Sequence, residues 1–108
     1  MEIAFEYAQN GDISHLSEFL QNGMSINYRS SDKSNLLHYS VLGNQINTAK
    51  FLIDNEIEIN IENEKGVSPL HIAFENGNIE IASLLLLNHA DISIKDNILF
   101  NNILFSMF

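Results

Sequence analysis

Two of the four histidines, His38 and His71, stand 33 residues apart and are the first candidates for chemistry, since imidazole can ligate zinc or carry a proton. Neither sits in a ligand spacing. No His-Glu-x-x-His run occurs, and His15 and His89 fit no such pattern. The absence of Cys removes thiolate nucleophiles, cysteine metal sites and disulfides together. There is no Gly-x-Ser-x-Gly elbow, and the five glycines compose no phosphate-cradling loop. Carboxylates are abundant: 14 Asp and Glu against 5 Lys and Arg give a formal charge of -9 and a pI near 4.6. Such a charge opposes a phosphate backbone, so nucleic acid is not expected as a partner. These residues lead us to expect no enzyme, no cofactor and no metal site.

The elements that carry these side chains are set by a repeat. Leu37-His38 recurs as Leu70-His71, and the same 33-residue step pairs Ile46 with Ile79, Ala49 with Ala82, Leu52 with Leu85, Asn55 with Asn88 and Ile59 with Ile92. One step earlier it brings Gly11, Ile13, Leu20, Asn22 and Ile26-Asn27 into line, and one step later it reaches Ile103-Leu104. The chain is therefore read as a single domain over 1–108, with approximate repeats 1–29, 30–62, 63–95 and a partial 96–108. A composition of 45% hydrophobic residues with seven Phe supplies a core for it.

Each repeat reads as two helices. In the third, Ser68 caps a helix whose first position is Pro69, where the missing N–H costs nothing. Asn76-Gly77-Asn78 ends it, because Gly and Asn tolerate left-handed backbone. A second helix is expected from about Glu80 to Asn88, apolar on more than one stripe and hence buried from both sides in an inner layer, with Leu85 at its centre. The short alternating stretch from Ala90 to Ile94 leads into an extended finger or hairpin. Acids occupy the first residues after Met1, which is read as the true start, and no export signal is recognised. The longest strictly apolar run within the body is Leu84 to Leu87, so no membrane span is expected and a cytoplasmic location follows.

The segments Gly66-Val67-Ser68-Pro69-Leu70-His71-Ile72-Ala73 and Gly77-Asn78-Ile79-Glu80-Ile81-Ala82, followed by Leu85-Leu86, resemble an ankyrin repeat, and the likeness extends over nearly the whole chain. The 34-residue paired-helix repeat lacks both the Ser-Pro-Leu-His entry and the finger. The second copy departs from the pattern with Asn35-Leu36 for Ser-Pro and Ser40 for Ala73. The first has Phe5 at the His position and Tyr7 at the small-residue position, as suits a terminal cap. The resemblance implies an all-α solenoid of stacked helix-turn-helix units joined by fingers, in which this His bonds the preceding hydroxyl and backbone of the adjacent unit. Ser68 supplies that hydroxyl to His71, whereas His38 must use Asn35, so its tie is expected to be altered. Equivalent residues of stacked repeats lie roughly 10 Å apart, too far to share a zinc ion.

The resemblance also implies a binding face formed by finger tips and first helices. The positions it selects for partner binding are Asp32, Ser34, Leu42, Glu62, Glu64, Val67, Glu75, Asn76 and Lys95, with Ser31, Gly43 and Lys65 beside them. Asp32, Glu62, Glu64 and Glu75 would form a negative strip, and Asp54, Glu56 and Glu58 precede it without an intervening base. Such a strip steers basic proteins inward, although the same acids would serve solubility equally well. The expected function is a non-enzymatic module that binds another protein with a basic surface. The alternatives are an inhibitor or immunity protein against a basic toxin or nuclease, and an accessory subunit or homodimer using the C-terminal tail. From Ile98 to Phe108 eight of eleven residues are apolar; Phe100, Phe105, Met107 and Phe108 cannot all turn inward from so short a segment. That end is a cap, a contact surface, or a cut through a longer array. It carries no basic residue to meet anionic headgroups, which argues against a membrane surface.

Overall fold

In the computed structural model, which describes residues 2–91, the repeat becomes three helix pairs. They are α1 (Ile3–Asn10) with α2 (Ile13–Gln21), α3 (Leu36–Leu42) with α4 (Ile46–Asp54), and α5 (Pro69–Asn76) with α6 (Ile79–Leu87). No strand occurs among the described residues. The expected partial fourth repeat, the finger beyond Asp91 and the tail residues Phe100, Phe105, Met107 and Phe108 lie outside them.

The first helices stack in one row, α1 on α3 and α3 on α5, while α4 packs on α6 in a second row. Burial explains the stacking. Ala4, Phe5 and Ala8 of α1, Leu36, Leu37 and Val41 of α3, and Leu70, Ala73 and Phe74 of α5 are all almost fully removed from water. Helices of little more than two turns are marginal alone, so it is this shared core that holds each unit helical. The second helix of the third repeat differs from the sequence expectation. It starts at Ile79, belongs to the outer row and buries only Ile81, Ala82 and Leu85, while Leu87 is 78% exposed. Leucines close to one another in sequence need not all face the stack, because a helix turns successive residues by 100°.

Every left-handed residue among the described ones falls on one of three repeat positions. Gly11, Asn44 and Gly77 make the turn between the paired helices; Gly23, Glu56 and His89 follow the second helix; Lys33 and Gly66 close the finger. In the second repeat Asn44 takes the left-handed angle that Gly77 takes in the third. Gly43 serves a different purpose, since a Cβ there would lie 2.0 Å from the carbonyl oxygen of Gln9. Its lack of a side chain is what lets α3 close on the end of α1.

Candidate functional site

The face formed by the first helices and fingers is built from a small set of recurring ties. Asn35 and Ser68 cap α3 and α5, accepting from the backbone N–H groups of His38 (3.0 Å) and His71 (3.3 Å). Each His returns the bond: Asn35 N–H donates to His38 Nδ1 at 3.0 Å, and Ser68 N–H to His71 Nδ1 at 3.1 Å. His38 Nε2 then reaches the Val67 carbonyl at 2.7 Å, joining the second repeat to the third. The Asn35 substitution therefore leaves this tie in place, and Asn35 adds a bond from Nδ2 to Glu58 O at 2.9 Å. A carbonyl can only accept, so Nε2 carries the ring proton and Nδ1 accepts. Burial holds His38 below the usual imidazole range, Arg29 adding to this while the Val67 carbonyl and Asp32 oppose it. In the first repeat Phe5 replaces the His and packs its ring 5.0 Å from that of Tyr39 in the next unit.

The fingers close as hairpins without strands. Ser30 N–H donates to Ser34 O at 2.8 Å and Asn63 N–H to Val67 O at 2.9 Å, equivalent positions one repeat apart. Glu64 N–H donates to Asp32 O at 2.9 Å, and Arg29 spans both fingers by donating to the carbonyls of Lys33 (2.8 Å) and Glu62 (2.7 Å). The Ser30 hydroxyl and the Ser34 N–H both bond Asp32 Oδ1, and Ser30 most of all holds this carboxyl below the usual range.

The partner-binding candidates accordingly divide. Ser34 is buried, its hydroxyl accepting from Asn63 Nδ2 at 3.3 Å, and Val67 is half-buried with both backbone groups engaged. These two hold the fingers together. Asp32 is half-buried, while Leu42, Glu62, Glu64, Glu75 and Asn76 are exposed. Lys95 lies outside the described residues. Pro69 stands at the start of α5, Gly77 makes its left-handed C-cap, and Leu85 is fully buried in α6. The acids that precede the expected strip sit on other elements: Asp54 closes α4, Glu56 follows it in the left-handed loop, and Glu58 is tied through its backbone to Asn27 and Asn35, while Glu62 and Glu64 flank Asn63 in the finger.

Asp32, Ser34, His38, Tyr39, Leu42, Asn63 and Ile72 enclose a shallow cleft of about 160 Å³ between the fingers and the first helices. Tyr39 and Ile72 were not singled out from sequence, nor was Glu6, although all three share one repeat position and the 33-residue step would have found them. Arg29 was missed as well, because its bonds go to backbone and leave no side-chain pairing to read. Lys33 and Lys65 share the finger tips with the acids. None of Glu62, Glu64 and Glu75 forms an ion pair with a described residue. Among the described residues no three His, Cys, Asp or Glu side chains gather as a metal site, and no helix is long and apolar enough to cross a membrane.

Stacked helix pairs of this length, joined by fingers and tied by a capping histidine, define a solenoid of the ankyrin type. A family model described as ankyrin repeats, in three copies, matches residues 4–96, and the chain belongs to that family. An ankyrin repeat protein of Rickettsia felis is 39% identical over 79 residues, covering 71% of this chain and 26% of its own length. One from fowlpox virus is 39% identical over 80 residues, covering 72% of this chain and 24% of its own. The human transient receptor potential cation channel subfamily A member 1 is 33% identical over 79 residues, covering 70% and 7%. The chain thus spans about a quarter or less of these relatives. A chain in the solved complex of the Bdellovibrio bacteriovorus predatory endopeptidase Bd0816 with immunity protein Bd3460 shares the fold. Its TM-score is 0.81 at 21% identity, covering 87% of this chain and 49% of that one. Ankyrin repeats in general serve as protein–protein interaction modules, and this chain carries three of them.

Proposed function

We propose that the module binds a protein with a basic surface through the face lined by its fingers and first helices. The observation that carries this reading is the set of exposed carboxylates, Glu62 and Glu64 on the finger and Glu75 on α5, which form no ion pairs with described residues, together with the Asp32 carboxyl in the cleft wall. Lys33 and Lys65 dilute the local field, but Asp32 and Glu6 add to the acids, and the whole chain carries -9. Charges placed this way accelerate encounter and repel anionic competitors. The mechanism is steric and electrostatic and needs no bond-making chemistry.

A second reading keeps the same face and makes its consequence inhibition, as for an immunity protein occupying a basic enzyme. The complex that contains the structural neighbour includes an immunity protein, and the acidic charge suits such a target, while the likeness itself is one of fold. The accessory-subunit and homodimer readings depend on the tail beyond the described residues. Salt tests the proposal: affinity for a partner recovered with this chain as bait should fall steeply as ionic strength rises past the point where exposed charges are screened. An affinity indifferent to salt would remove the acidic face from the account.

A further inference from the structure

The cleft between the fingers and first helices has an unusual lining. Its polar groups are already occupied. Tyr39 donates its hydroxyl to Ser30 Oγ at 3.4 Å, and Asn63 Oδ1 accepts from Lys65 N–H (3.0 Å) and Val67 N–H (3.1 Å). Asn63 Nδ2 bonds Ser34, and both ring nitrogens of His38 are engaged. A polar ligand group entering here would shed water and find little to bond. What remains open is apolar: the ring of Tyr39, Ile72 and Leu42, the last 49% exposed although it lies on the stacked row. At the mouth stands the half-buried Asp32 carboxyl, held through Oδ1 by the Ser30 hydroxyl and the Ser34 N–H. Glu75 occupies in the third repeat the position that Leu42 holds in the second, so a carboxylate stands one repeat along from the exposed leucine.

We infer that the partner presents an apolar side chain flanked by Lys or Arg, the apolar group seating against Tyr39, Leu42 and Ile72 while the cations meet Asp32 and the neighbouring glutamates. This rests on the acidic-face reading and adds to it the chemistry of the recognised segment. Charge complementarity selects the occupant: a wholly apolar segment would leave the surrounding carboxylates facing an uncharged surface, and a purely basic one would leave Leu42 and Ile72 wet. A small, desolvated apolar contact ringed by charge is also the arrangement in which few residues dominate affinity.

The test is selection of a random peptide library displayed on phage against the full 108-residue chain, followed by affinity measurement of the enriched peptides on Leu42→Ala. Enrichment of an apolar residue between basic ones is expected, with affinity lowered about tenfold by Leu42→Ala and untouched by Leu87→Ala, a control on the outer row. Leu42 and Leu87 are both exposed, so neither change threatens folding. Basic peptides with no recurring apolar residue, insensitive to Leu42→Ala, would overturn the apolar seat and leave the acidic face standing. Apolar peptides without basic residues, bound independently of salt, would overturn the acidic face. Equal losses in the Leu42 and Leu87 variants would reduce the contact to general stickiness, and no enrichment would overturn both.

Discussion

His38 Nε2 meets the carbonyl oxygen of Val67 at 2.7 Å across 29 residues of sequence, so a side chain that caps one helix also fixes the finger leading to the next. Because burial lowers its proton affinity, the unfolded chain takes up a proton that the folded chain refuses. Stability from this source is complete above the unfolded pKa of about 6.5 and declines as pH falls through that value toward the lower folded one. Urea midpoints measured between neutral and mildly acid pH should fall, and the His38→Gln variant, though less stable throughout, should lose most of that slope. An unchanged slope in the variant would place the proton uptake elsewhere.

Gly43→Ala should destabilise the fold by about 1–3 kcal/mol or more, through overpacking. The added Cβ would fall 2.0 Å from Gln9 O, and the obstacle is backbone, which cannot rotate aside as a side chain would. Thermal denaturation reads the effect directly; a variant as stable as the parent would mean that α1 and α3 can separate without loss.

Lys33→Gly and Glu56→Gly are expected to stabilise. Both residues hold left-handed backbone, at φ 68° and 66°, where the equivalent positions elsewhere carry Gly66 and Gly23. Relief of that strain, less the greater freedom of Gly in the unfolded chain, leaves a gain of about 0.5–1 kcal/mol at each site. A fall in the denaturation midpoint at either would show that its side chain contributes contacts outweighing the strain.

Leu85→Ala should cost on the order of 2–5 kcal/mol, since Leu85 is fully buried where α6 joins the stack. Two residues on, Leu87→Ala should change stability little, because its side chain is mostly in water. Calorimetry on both variants measures the contrast, and equal effects would contradict the orientation of α6.

Much of this architecture was legible because a 33-residue period dictates stacking before any helix is assigned. Ser68-Pro69 and Gly77 mark the two ends of α5, and the matched Leu52 and Leu85 mark the core. What stayed hidden was the work of the amides. Asn27 and Asn60 recur in register, yet only the structure shows each accepting a backbone N–H of the following unit, from Glu58 at 2.9 Å and Asp91 at 2.7 Å. Gln45 and Asn78 likewise reach back to Gln9 O and Val41 O, at 3.2 Å each, which is why neither caps the helix it precedes. Side chain to backbone bonds carry no complementary partner residue in the sequence. The orientation of α6 was misjudged for a related reason: a leucine-rich helix reads as buried all round when composition is its only witness.

The acidic face is the central claim, and charge reversal tests it most directly. Glu62, Glu64 and Glu75 are exposed, so replacing all three with Lys should leave folding intact. Binding of the triple variant to a partner captured by the parent chain should be lost or reduced by several orders of magnitude at low salt, with the circular dichroism spectrum unchanged. Retention of the parent affinity in a folded triple variant would contradict the account.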